Sequence, residues 1–262
     1  MNRTKIEWAE ATWNPITGCT PISEGCAHCY AQRMATRLAG RCGYPADEPF
    51  RVTVHPKRID EPLHWKKPRR IFVCSMGDLF HDDVPYELIR EVHWRIQMNP
   101  RHTFMVLTKR PSRMLEWYRS NHAKGAPVLA NLWIGVTAES QQRANERIPL
   151  LLQTPAAVRF VSVEPMLGSM DLEAVEGFEH DGIANTLDGC GCNKYGLLSR
   201  MCTPLDLVVC GAETGPGARP MKLEWARSLR DQCSATGVPF FMKKVSGGGP
   251  LPDDLNIRQW PG

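Results

Sequence analysis

Short runs of β-branched and aromatic residues recur along this chain, each followed by a longer stretch whose apolar residues repeat at helical spacing. Strand and helix units in strict alternation lay their strands side by side in parallel, with the helices as right-handed crossovers. The strand runs are FRVTVH (50–55), IFVCSM (71–76), TFMVLT (103–108), LWIGVT (132–137), VRFVSV (158–163), LDLVVCG (205–211) and VPFFMK (238–243), with a shorter one at 11–16. Helical spacing covers 31–39, 85–98, 112–119, 140–152 and 222–235, and Pro85 and Pro111 stand where a first-turn proline loses no helical bond. The expected class is α/β: a partial or near-complete parallel (β/α) barrel, with its active site at the C-terminal ends of the strands.

The 262 residues are within reach of one barrel-like domain, and a single domain over 1–262 is expected. Two segments break the rhythm: about 168–204, rich in Gly, Cys and acidic residues and read as an insertion, and an irregular tail over about 245–262. With 42% hydrophobic and 23% charged residues, the composition excludes a disordered or fibrous chain. A net charge of +4 is compatible with a nucleic-acid partner but far short of a polybasic tail. The charged start MNRTKIEWAEATWNP carries no signal-peptide core, and no run approaches the roughly 20 apolar residues of a membrane span. A cytoplasmic protein without a membrane partner is therefore expected.

In that compartment ten cysteines point to metal or redox chemistry rather than to a disulfide framework. Cys19, Cys26 and Cys29 are spaced C-x6-C-x2-C, after the first short strand and before the first helix. Three neighbouring thiolates leave one position of an iron–sulfur cluster open to a substrate or cofactor; the alternative is a zinc site completed by His28 or a distant cysteine. Gly18 and Gly25 give the loop room to wrap a metal group. A second group, Cys190, Cys192 and Cys202 with His180 upstream, matches no defined metal spacing; zinc, a second cluster and plain thiols all stay open.

With these residues in view, the chain resembles the radical S-adenosylmethionine (SAM) superfamily, whose usual motif is C-x3-C-x2-C after the first strand of a partial TIM-like barrel. More closely it resembles a phage- and mobile-element-associated family with a variant three-cysteine motif, through WNPITGC, HPKRIDEPLHWKKPRRIFVCSMGDLFHDDVP, FMVLTKRP, RIPLLLQTPAAVRFVSVEPMLG, GAETGPGARPM and GVPFFMKK. The resemblance implies that Cys19, Cys26 and Cys29 hold a [4Fe-4S] cluster whose fourth iron takes the amino and carboxylate groups of SAM, and that His28 and Tyr30 border the adenine. It also implies an external one-electron reductant such as flavodoxin or ferredoxin. The superfamily's Gly-Gly-Glu segment after the second strand is missing, with Val54, His55 and Pro56 in its place.

Polar residues at the predicted strand ends are the cofactor-binding candidates: Ser75 and Asp78, then Thr108 and Lys109, Thr137 and Glu139, and Glu164. Lys109 suits a carboxylate, and Asp78, Glu139 or Glu164 an ammonium or a ribose; each could equally cap a helix. The turn 211–220 offers backbone amides and Arg219 to an anion, or is purely structural. Cys74 and Cys210 fall on strands as buried small residues or, in a radical enzyme, as catalytic hydrogen-atom donors. Lys57, Arg58, Lys66, Lys67, Arg69 and Arg70 with Trp65, and Lys109, Arg110, Arg113 and Arg119 with Trp117, combine charge and aromatic surface as nucleic-acid binders do, or as solvated basic faces do. The leading expectation is a radical SAM enzyme acting on nucleic acid, by lesion repair of the photoproduct-lyase type or by base modification. The alternatives are the same chemistry on a peptide or small metabolite, and a zinc-stabilised, non-enzymatic nucleic-acid-binding module.

Overall fold

A computed structural model of the chain describes residues 4, 6–178, 182–188 and 204–262. His180, Cys190, Cys192 and Cys202 lie outside the described residues. Two compact units divide the chain, Met1–Ile134 and Gly135–Gly262.

The first unit carries β1 (Ala11–Trp13), β2 (Ile16–Thr17), α1 (Tyr30–Arg37), β3 (Thr53–Val54), β4 (Arg70–Val73), α2 (Tyr86–Gln97), β5 (Thr103–Thr108) and α3 (Pro111–His122), and β6 (Leu132–Thr137) begins in it. The second carries α4 (Gln141–Leu152), β7 (Val158–Val163), β8 (Val175–Phe178), β9 (Gly182–Ala184), β10 (Leu207–Gly211), α5 (Leu223–Thr236) and β11 (Phe240–Lys244). One seven-stranded sheet has the order β1-β4-β5-β6-β7-β10-β11. The pairs β1–β4, β4–β5, β7–β10 and β10–β11 are all parallel. Among the described residues no helix is long and apolar enough to cross a membrane.

Each element follows from its pattern. In α2 the apolar residues Ile89, Val92 and Ile96 recur on one face and are buried. Helix α3 opens on Pro111 and buries Met114, Leu115, Trp117 and Tyr118. Helix α5 stops at Gly237, whose left-handed φ of 74° suits glycine as a cap. Trp13, Ile71, Phe104 and Met105 form the core of the first unit, with Trp13 and Phe104 meeting edge to face at 5.9 Å. Phe160, Val209, Phe240 and Phe241 serve the second, and the missing side chain of Gly135 makes room for the Phe160 ring.

The run 50–55 is not a strand of the large sheet, as its composition led us to expect. Only Thr53–Val54 is extended, and it pairs antiparallel with β2. A parallel strand is covered on both faces, whereas Arg51 and Val54 are exposed here and Pro56 follows at once. The second strand of the large sheet is therefore β4. The interval 168–204 contains a β8–β9 hairpin. The tail lies along β11: Met242 N–H donates to the Ile257 carbonyl at 2.8 Å, Gln259 N–H to that of Phe240 at 3.0 Å, and Trp260 packs on Phe241. It thus caps a sheet edge that would otherwise offer unpaired backbone groups.

Two histidines of the first unit make its stability depend on pH. Burial and the nearby Arg58 depress His55 to about 4, and burial alone depresses His93 to about 4. Their ordinary value is about 6.5, so below it the unfolded chain binds protons that the folded one refuses. The stabilisation is complete above about 6.5 and is lost as pH falls towards 4. Urea midpoints measured between pH 7 and 5 should fall accordingly, and less steeply in His93→Gln; a flat profile would refute the assignment.

Candidate metal and cofactor site

The cysteine loop is fixed at its start by a close backbone approach. Gly18 has φ +92°, donates its N–H to the Met76 carbonyl at 2.9 Å and bridges to Gly77, extending the β1–β4 pairing. A Cβ on Gly18 would lie 2.2 Å from the Arg51 carbonyl oxygen, so no other residue fits. Cys19 follows, its N–H on the Phe50 carbonyl at 3.1 Å. A short 3-10 turn over Glu24–Cys26 and a bond from Cys29 N–H to the Cys26 carbonyl at 3.2 Å wind the chain into α1, which Cys29 caps. All three thiols are free and half-buried.

Their electrostatics come from the turn between β5 and α3, where Lys109 and Arg110 stand in succession. Burial raises the Cys26 thiol, but Lys109 and hydrogen bonds from Ile22 and Ser23 outweigh it and leave the thiol below its ordinary range. Cys19 stays above its range through burial and the Asp78 carboxylate, with Arg110 pulling the other way. The Arg110 guanidinium is 3.3 Å from the Cys19 sulfur and 3.4 Å from Asp78 Oδ2, and its other arm donates to Thr20 O at 3.2 Å and Thr20 Oγ1 at 2.9 Å.

Among the described residues no three His, Cys, Asp or Glu side chains converge on a point that a single ion could occupy. A cuboidal cluster makes a different demand, because each of its thiolates binds a separate iron. Three soft sulfur donors on one loop, with cations beside two of them, fit a [4Fe-4S] group in number and chemistry.

The other predicted residues of this unit gather around the same loop ends. Tyr30, exposed at the start of α1, donates its hydroxyl to the Ser75 carbonyl. The Ser75 hydroxyl donates to Asn14 Oδ1 at 3.2 Å, and Asn14 also takes the Met76 N–H at 2.9 Å, which ties the WNP turn to the end of β4. Asp78 is buried and already engaged: it accepts from Thr108 Oγ1 at 2.8 Å, Phe80 N–H at 2.9 Å and Lys109 N–H at 3.2 Å. His28 is half-buried on the cysteine loop. Cys74 is buried just past the end of β4 with φ +55°, and burial pushes its thiol far up.

In the second unit, Glu139 is fully buried and accepts from Arg147 at 2.8 Å, while Arg147 also donates to the Thr137 carbonyl at 2.7 Å. Glu164, before a cis bond to Pro165, takes Lys243 on one oxygen at 2.8 Å and the Ser162 hydroxyl on the other at 3.2 Å. Arg219 is folded onto Glu213, so the glycine-rich turn closes on its own carboxylate. Cys210 is fully buried with its sulfur 3.6 Å from Met166 Sδ, and burial raises its thiol.

In the sequence Arg110 stands out only as part of a basic and aromatic group, and nothing there singles out Asn14, Lys243 or Arg147. That group divides: Arg110 and Trp117 are buried, and Arg113 donates to the carbonyls of His81 and Val84. The first group keeps its surface character, with Lys57, Lys66 and Lys67 exposed and the Arg69 guanidinium 5.6 Å from the Trp65 ring centre.

No curated protein matches the sequence. Three solved structures share its fold, each covering 94% of this chain and 79% of the other: spore photoproduct lyase as a cysteine-to-serine variant (TM-score 0.51, 13% identity), as a tyrosine-to-phenylalanine variant (0.51, 12%), and as a cysteine-to-alanine variant with dinucleoside spore photoproduct (0.50, 13%). The likeness shows the partial, TIM-like parallel β/α barrel that the strand and helix rhythm predicts. Residues 3–251 match one family model, described as Protein of unknown function (DUF5131).

Proposed function

We propose that this chain, which belongs to the DUF5131 family, is a radical SAM enzyme acting on nucleic acid. The observation that carries the reading is the group of three half-buried thiols at the end of the first strands, two of them beside cations, in a fold shared with spore photoproduct lyase. Fold alone is analogy; the thiols supply the chemistry.

When bound, a [4Fe-4S] cluster would supply the electron for reductive cleavage of SAM, and a flavodoxin or ferredoxin would supply that electron in turn. Cys19, Cys26 and Cys29 hold the cluster. Lys109, beside Cys26, is assigned to the methionine carboxylate, and His28 and Tyr30 to the edge of the adenine. Because β4 is the second strand of the large sheet, the counterpart of the superfamily's Gly-Gly-Glu segment is Ser75, Met76, Gly77 and Asp78 rather than Val54, His55 and Pro56. We assign the methionine amino group to this turn. In the second unit Glu164, partly exposed between Lys243 and Ser162, is the carboxylate we assign to a polar ligand group. The exposed lysines around Trp65 and Arg69 suit a phosphate backbone.

The test is anaerobic incubation of iron-loaded, dithionite-reduced protein with SAM, with irradiated or unirradiated oligonucleotides. The expected result is 5′-deoxyadenosine above the protein-free control, and consumption or modification of a base. Cofactor cleavage without any change in either oligonucleotide would move the substrate to a peptide or small metabolite. Absence of 5′-deoxyadenosine from fully loaded protein would overturn the reading.

A further inference from the structure

We propose that Arg110 is a positioning residue that fixes Cys19 as a cluster ligand and, through its N–H on that sulfur, raises the cluster's reduction potential. The inference rests on the functional reading above. Its support is the geometry around one buried guanidinium. Nη1 faces the Cys19 sulfur at 3.3 Å and Asp78 Oδ2 at 3.4 Å, Nη2 holds the carbonyl and hydroxyl oxygens of Thr20, and Nε lies 3.7 Å from Asp82. The fork is therefore committed in every direction, and lysine, with one rotatable ammonium, could not span the same partners.

Two of these partners are themselves held. Thr108 and the Phe80 and Lys109 amides orient Asp78; the Thr20 hydroxyl also meets His81 Nε2 at 2.9 Å; Arg110 N–H donates to Thr108 Oγ1 at 2.9 Å. A network reaching from β5 to the cysteine loop thus anchors Cys19 and Thr20 before any metal arrives, in the manner of the outer residues that orient metal ligands. Hydrogen bonds to cluster sulfurs stabilise the reduced, more negative state and so raise its potential. Asp78 compensates the guanidinium charge, leaving a directional N–H as what Arg110 adds at the sulfur.

The experiment uses the full chain, reconstituted anaerobically with ferrous iron and sulfide, as wild type, Arg110→Met, Arg110→Lys and the double variant Asp78→Asn/Arg110→Met, which removes both buried charges together in case Arg110→Met fails to fold. Iron and sulfide per chain, the electron paramagnetic resonance of the reduced form and the midpoint potential are measured without SAM. The expected result is wild-type iron content with a lower potential in the methionine variants, read as a roughly tenfold fall in the reduced-to-oxidised ratio at fixed poise, and incomplete recovery in Arg110→Lys. An unchanged potential and spectrum in variants that hold full iron would overturn the inference while the functional reading stands. A wild type that takes up no cluster would overturn both.

Discussion

Cys26→Ala, purified and reconstituted without oxygen, is expected to hold less than about one iron per chain where the wild type holds about four, and to lose the cluster's visible absorption. A cluster with three protein thiolates has no spare ligand, and the burial of three further cysteines among the described residues keeps them from replacing one. Cys74, Cys210 and Cys233 are buried, and Cys42 is exposed with φ +53°. Cys19→Ala and Cys29→Ala should behave alike, and Cys42→Ala should keep the full complement. Loss of fold is not the cause to expect, because Cys26 is half-buried in a short surface turn, and circular dichroism of the unloaded variants should match the wild type. About one zinc per chain with no sulfide in the wild type would instead support the zinc-stabilised binding module. Near-complete iron with an unaltered spectrum in Cys26→Ala would remove this thiol from the ligand set.

The position of the cysteine loop was legible because a two-residue alternation runs through β1 and a helical periodicity begins at Tyr30, so the loop lies between a strand and a helix. The strands Thr103–Thr108, Leu132–Thr137 and Val158–Val163 likewise coincide with the runs named from sequence, being continuous apolar segments of the kind parallel sheets bury. The run 50–55 misled because its valines alternate as strand residues do, and a single sequence does not say whether both faces will be covered. Arg110 was unreadable for a related reason. In Lys-Arg-Pro before a helix it looks like surface charge, and its inward turn depends on Asp78, which arrives from the preceding β4 segment. A cation directly before a helix-opening proline and two residues after a strand-end threonine was the local hint.

The second large effect concerns the ion pair inside the second unit. Arg147→Met is expected to destabilise the protein by about 3–5 kcal/mol, because it strands the fully buried Glu139 carboxylate without its guanidinium partner. Glu139→Leu should cost a similar amount for the mirror reason, and Arg147 would also keep its bond to the Thr137 carbonyl in that variant. The double variant Glu139→Leu/Arg147→Met should recover most of the loss, since two apolar side chains of similar volume remove both desolvation penalties at once. Urea denaturation of the four proteins at pH 7 reads the cycle. The same four proteins, loaded with iron, separate the structural role from the cofactor role that the strand-end position of Glu139 first indicated. A stable double variant that binds SAM as the wild type does makes the pair structural, whereas a stable double variant that has lost SAM binding returns Glu139 to the cofactor site. Single variants with wild-type midpoints would show that the pair contributes little to stability.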